Sequence, residues 1–176
     1  MALQRFSLNR GRRVERSLAR ILPLATTAFA ALLSILPVPI SGYAAVTPAF
    51  TLMAVFHWTL YRPDLLPPSA LFLIGASEDL LSGAPLGTTA LVLLFARSIV
   101  LGARRFFANR HFLFVWSGFV VLSGGAMLFV WALNSLFDST FLEIHSSVFR
   151  LGLTVALFPA ASLLLGRTQR AVLAAG

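Results

Sequence analysis

The sequence predicts an all-α integral membrane protein: a compact bundle of six transmembrane helices with both termini on the cytoplasmic side. Three observations predict it. The 176 residues are 58% hydrophobic and only 11% charged. Soluble domains carry about 25% charged residues, so too little polar surface remains here to coat a soluble globule. The apolar residues fall in continuous runs rather than alternating, which favours helices over a membrane barrel. The net charge of +8 comes from fourteen arginines without a lysine. Six spans place twelve of those arginines on one side and none in the opposite loops, the asymmetry expected of a cytoplasmic face.

Residues 1–17 form a basic cytoplasmic arm. Arg5, Arg10, Arg12, Arg13, Arg16 and Arg20 precede the first apolar run, with Glu15 as the one acid. Leu3, Phe6 and Leu8 are spaced so that the arm could lie on the membrane surface. The first span covers about 18–36. Gly42-Tyr43-Ala44 resembles a small-residue cleavage site, but the apolar run ahead of it is longer than the ~7–15 residues of a signal peptide, so an uncleaved span is expected. Pro37, Pro39, Ser41 and Gly42 make an uncharged turn.

The second span, 48–61, opens at Pro48, a residue suited to a helix start. Alone it is shorter than the ~17 residues needed to cross the hydrocarbon. Trp58 and Tyr61 are expected to anchor its far end at the interface, and His57 to be a packing residue. Arg62-Pro63-Asp64 closes it, and Pro67-Pro68 opens the third span, 66–82. The fourth, 87–103, contains Arg97, which either snorkels to the inner surface or pairs within the bundle. Arg104, Arg105 and Arg110 follow as a basic connector.

The fifth span, 111–133, is aromatic-rich and carries Gly118, Gly124 and Gly125. Small residues of this kind permit close helix approach, and the Gly124-Gly125 pair could equally bend the helix. A polar loop, 134–144, leads to the sixth span, 145–166, where Pro159 is expected to kink the helix. A short cytoplasmic tail, 167–176, contains Arg167 and Arg170. The sequence shows no soluble domain, long linker or internal repeat.

Between the third and fourth spans lies the most unusual stretch. Glu78 and Asp79 end an apolar segment, and Gly83, Pro85 and Gly87 then break the chain. Acids in such segments usually face protein, water or a counter-charge. Neighbours on a helix point about 100° apart, so one acid is expected to look inward while the other caps or faces water. Arg150, at similar depth in the sixth span, is a candidate partner for either. Breaking such a pair when it is buried costs about 3–5 kcal/mol.

Reaction chemistry finds little support. Adjacent carboxyls on one helix do not converge as an acid/base pair must. His57, His111 and His145 are scattered, and no H-E-x-x-H, G-x-S-x-G or P-loop pattern occurs. The absence of cysteine excludes thiolate metal sites and thiol nucleophiles. No catalytic residue, cofactor or metal site is expected, and the arginines point to topology and anionic lipids rather than to nucleic acid.

Pro48, Trp58 and the motif Gly75-x-x-x-Asp79-Leu80-x-Ser82-Gly83-x-x-Leu86-Gly87 resemble the rod-shape-determining protein MreD family. The motif region covers roughly a third of the chain, and six spans, length and basic loops agree over most of the remainder. The arginine-rich arm and the Leu65-Leu66-Pro67-Pro68 connector depart from the family pattern. The resemblance implies a non-enzymatic inner-membrane subunit of the bacterial elongation machinery. It would bind MreC directly and share a complex with MreB, RodA and its penicillin-binding transpeptidase. Gly75, Glu78, Asp79, Ser82, Gly83, Gly87 and Arg150 would form a structural or partner site, with Gly118, Gly124 and Gly125 on a helix-docking face. The family's six-helix fold also resembles the substrate-capture subunit of energy-coupling-factor vitamin transporters. That alternative predicts a polar cavity near Glu78, Asp79 and Arg150.

Overall fold

A computed structural model describes residues 21–36, 47–107, 111–137 and 144–174. The expected basic arm and the turn with its cleavage-like motif fall outside them, as do Arg110 and the middle of the 134–144 loop. Among the described residues there are six α-helices and no strand. They are α1 (Ile21–Ile35), α2 (Phe50–Tyr61), α3 (Pro68–Ser82), α4 (Thr88–Phe107), α5 (Phe112–Phe137) and α6 (Ile144–Ala174). A 3₁₀ turn at Pro63–Leu65 separates α2 from α3. Two segments, Phe112–Leu133 and Ser147–Thr168, are long and apolar enough to cross a membrane by length and composition alone.

The short helix α2 occupies the middle of the bundle. Every residue from Thr51 to Leu60 is buried, which is why its length does not matter in the way a lipid-facing span's would. Twelve residues rise only about 18 Å, and the neighbouring helices shield them. Phe56 stands edge-on to Phe119 at 5.3 Å and Phe158 at 5.5 Å, while Phe119 and Phe158 stack at 4.1 Å. These rings join α2, α5 and α6 through the edge and offset contacts that aromatic quadrupoles favour. Trp116 donates Nε1–H to the Val155 carbonyl at 3.1 Å, adding a polar tie between α5 and α6.

Several expectations change here. Trp58 is not an interface anchor: it is 2% exposed and donates Nε1–H to Thr26 Oγ1 at 2.9 Å. A buried indole needs a hydrogen-bond acceptor, and α1 supplies one. Trp58→Phe should therefore cost about 1 kcal/mol, the net worth of one such bond, measured by unfolding in detergent. An interface anchor would lose nothing on this scale. Tyr61, by contrast, is exposed, and His57 is a packing residue set against the Trp58 and Tyr61 rings.

Arg97 is held within the bundle and does not snorkel free. Its Nε donates to the Leu66 carbonyl at 3.1 Å and its Nη2 to the Pro63 carbonyl at 3.3 Å. Arg104 Nε donates to the Leu60 carbonyl at 3.0 Å. The two arginines donate to carbonyls at the end of α2 and around the 3₁₀ turn, and the Pro63 carbonyl also accepts the Leu66 N–H at 3.4 Å. Helix ends also run further than the sequence suggests. α5 continues to Phe137 and α6 to Ala174, so the tail expected at 167–176 is helical almost throughout. Neither extension contains a proline, and its Leu, Ala, Arg and Gln residues are good helix formers. α5 runs through Gly124-Gly125 without interruption.

Candidate functional site

The Gly75–Gly87 hairpin is built by backbone approach, a left-handed turn and one carboxylate. Gly75 is buried where α3 crosses α4. A Cβ there would lie 2.5 Å from Ala90 Cα and 2.7 Å from Ala90 N, so only glycine allows the two backbones this close. Gly83 ends α3 at φ 72° and Gly87 precedes α4 at φ 96°, both in the region that side chains disfavour. Ser82 Oγ makes a long 3.3 Å bond to the Asp79 carbonyl and is otherwise exposed.

Asp79 is fully buried. Its Oδ2 accepts from Gly87 N–H at 2.8 Å, and both carboxylate oxygens receive Thr89 N–H, at 3.0 and 3.1 Å. The first amides of any helix lack intrahelical acceptors, and α4 begins at Thr88. Asp79 thus caps α4 from eight to ten residues away, with its charge at the positive end of the helix dipole.

Glu78 serves a different helix. Its Oε2 accepts from Thr51 Oγ1 at 2.7 Å, and Thr51 Oγ1 lies 3.1 Å from Ser34 Oγ. Because Thr51 donates to the carboxylate, the Ser34 hydroxyl donates to Thr51. Ser34 Oγ also accepts Thr51 N–H at 3.2 Å, and Thr154 Oγ1 accepts Ala49 N–H at 3.1 Å. Ala49, at the α2 N-cap, has no side chain to do this. Its neighbours α1, α3 and α6 therefore close the start of α2 with hydroxyls and a carboxylate.

Both acids consequently face inward, and neither faces water. The roughly 100° between them directs one to α4 and the other to α2. Arg150 lies on α6 and its side chain is exposed. Asp79 spends its oxygens on backbone amides. Ser34, Thr51, Thr89 and Thr154 were not legible as members of this network. The available signal was an alanine at a helix N-cap, which implies a cap supplied from elsewhere.

The glycines of α5 divide in the same manner. A Cβ on Gly118 would meet the Phe107 ring at 2.5 Å, so this glycine admits an internal neighbour. Nothing lies within 4 Å of a Cβ at Gly124 or Gly125. Gly125 borders an open apolar groove of about 470 Å³ between α4 and α5, floored by Phe56 of α2. This groove contains none of the residues of the Glu78 network, unlike the polar cavity expected of a vitamin-capture subunit.

Fold and site together describe an all-helical protein, with two helices apolar enough to cross a membrane, whose two adjacent buried acids serve the starts of neighbouring helices. Residues 15–166 match the family model of the rod shape-determining protein MreD, and the chain belongs to that family. It is thus a membrane component of the rod shape-determining system, within a family of structural rather than known enzymatic proteins. No curated protein and no solved structure matches the chain.

Proposed function

We propose that this protein is a non-enzymatic, multi-pass inner-membrane subunit of the bacterial cell-elongation machinery. It binds MreC and helps to organise lateral peptidoglycan synthesis alongside MreB, RodA and the penicillin-binding transpeptidase. The observation that carries this reading is the family match across residues 15–166. The arginine distribution supports an N-in, C-in arrangement, with the 83–87 hairpin at the outer face and Arg104 and Arg105 at the inner one.

Physical features favour a subunit role. The polar groups buried at the hairpin end are engaged in closing helices, and among the described residues there no acid, base and nucleophile converge. Large apolar side chains remain exposed along α3 and α5, among them Leu73, Leu80, Leu113 and Val121. A bundle with short connectors offers a partner chiefly its membrane faces, and helix–helix packing is the natural mode of contact there.

Depletion in a rod-shaped bacterium should round the cells, and expression of this chain should restore rods. Affinity purification in mild detergent should recover MreC. Cells that remain rod-shaped on depletion, with no MreC co-purifying, would overturn the proposal. Anionic lipids are expected to meet the arginine-rich cytoplasmic side.

A further inference from the structure

We infer that α6 carries a latched hinge at Pro159. Trp116 of α5 holds the latch, and its release swings the arm formed by residues 144–155 away from the start of α2. The contacts involved lie inside the bundle and stand apart from the elongation reading.

The chemistry begins with a missing donor. In an α-helix each N–H bonds to the carbonyl four residues earlier, so the Val155 carbonyl belongs to position 159. That position is proline, which has no N–H and whose ring crowds the same carbonyl. α6 nonetheless runs through Pro159 as one helix from Ile144 to Ala174. The donor comes from a neighbouring helix instead, because Trp116 Nε1–H meets the Val155 carbonyl at 3.1 Å. A buried carbonyl needs a donor and an indole in an apolar interior needs an acceptor, so each group meets the other's requirement. Proline is the usual site of sharp bending in a helix. Here a side chain of α5 occupies the carbonyl whose release permits the bend.

The two sides of the hinge are held differently. The pivot stays in the core: Phe158 is 1% exposed, stacks on Phe119 at 4.1 Å and meets Phe56 edge-on at 5.5 Å. Two adjacent residues of the arm bond to other helices. Val155 is one. Thr154 is the other, and its Oγ1 accepts the Ala49 N–H at 3.1 Å while donating to the Arg150 carbonyl at 2.7 Å. The hydroxyl is thus tied to the arm and moves with it. Thr154 is five residue steps from Pro159, about 7.5 Å along the helix. A rotation of about 20°, where proline kinks begin, carries a point at that distance about 2.6 Å. A 3.1 Å hydrogen bond does not survive such a move, and the start of α2 then loses an acceptor that Ala49 cannot supply. Turning the Trp116 ring away from Val155 therefore acts at a distance, on the same helix start that Ser34 closes from α1.

Amide hydrogen exchange on the purified full-length chain in detergent is the test, since it reads a local opening equilibrium even when the open state is rare. Trp116→Phe keeps an aromatic ring and removes the donor. Exchange at Ala49 should rise about fivefold, the worth of one hydrogen bond, while Thr89, held by Asp79, should not change. Pro159→Ala returns the backbone donor, and adding Trp116→Phe to it should leave exchange at Ala49 as it was. Pro159→Ala alone should slow exchange at Ala49, which keeps the test decisive if Trp116→Phe does not fold. An equal rise at Ala49 with and without Pro159→Ala makes Trp116 an ordinary tie between helices, and an equal rise at Thr89 makes the change a general loosening; either overturns the inference. So does unchanged exchange at Ala49 in Trp116→Phe, or unchanged or faster exchange there in Pro159→Ala.

Discussion

Asp79→Ala should destabilise the bundle by about 3–5 kcal/mol, and the loss should concentrate at the start of α4. The side chain receives the amides of Gly87 and Thr89 in a fully buried position. Removing it leaves two donors without acceptors, each costing about 1–3 kcal/mol, and deletes a negative charge from a helix N-terminus. Asp79→Asn keeps one acceptor oxygen and should lose less than half as much. Unfolding in detergent reports the total, and amide hydrogen exchange at Gly87 and Thr89 reports the place. In depleted cells, Asp79→Ala should fail to restore rods while Asp79→Asn restores them in part. Unchanged stability and exchange in Asp79→Ala would remove the capping role, and normal shape with normal partner recovery in Asp79→Asn would remove the reason to treat this acid as functional.

The second large effect is expected at Gly75. Overpacking a dense interior usually costs about 1–3 kcal/mol and sometimes more, and Gly75→Leu should fall at or above the top of that range. The obstacle is Ala90 backbone at 2.5 Å, which cannot rotate aside as a side-chain end could. α3 and α4 must therefore separate, and Asp79 then loses its reach to Gly87 and Thr89. The two substitutions are consequently coupled. The double variant should cost less than the sum of the singles, because each already breaks the contact that the other depends on. Gly125→Leu is the control, with the same change of residue at a site where nothing lies within 4 Å. Additive losses in the Gly75/Asp79 pair would show that the hairpin does not act as a unit.

Much of this architecture was legible because it is written locally. Continuous apolar runs, proline at helix starts and the Gly83–Pro85–Gly87 break each act through their own backbone or the next few residues. All six helices accordingly appear in the expected order. Their ends were less legible, since α5 and α6 meet no proline where the apolar pattern fades. The site was visible only as an anomaly. Two adjacent acids could be singled out, but their partners lie on α4, α2 and α1, up to 44 positions from Glu78 in the case of Ser34.

Trp58 shows the same limit from the other direction. An aromatic residue near the end of an apolar segment suggests an interface by composition, yet burial depends on which helix occupies the centre. That is α2, the shortest of the six, and no local signal ranks helices by centrality. The sequence by itself determined an all-helical chain of six segments, with a glycine–proline–glycine break between the third and fourth. Tertiary structure alone decided that Asp79 closes α4, that Glu78 joins Thr51 and Ser34 at the start of α2, and that Gly75 is a backbone contact. The physical reason is that every helix N-terminus needs acceptors, and which residue supplies them is settled by packing between segments distant in the chain.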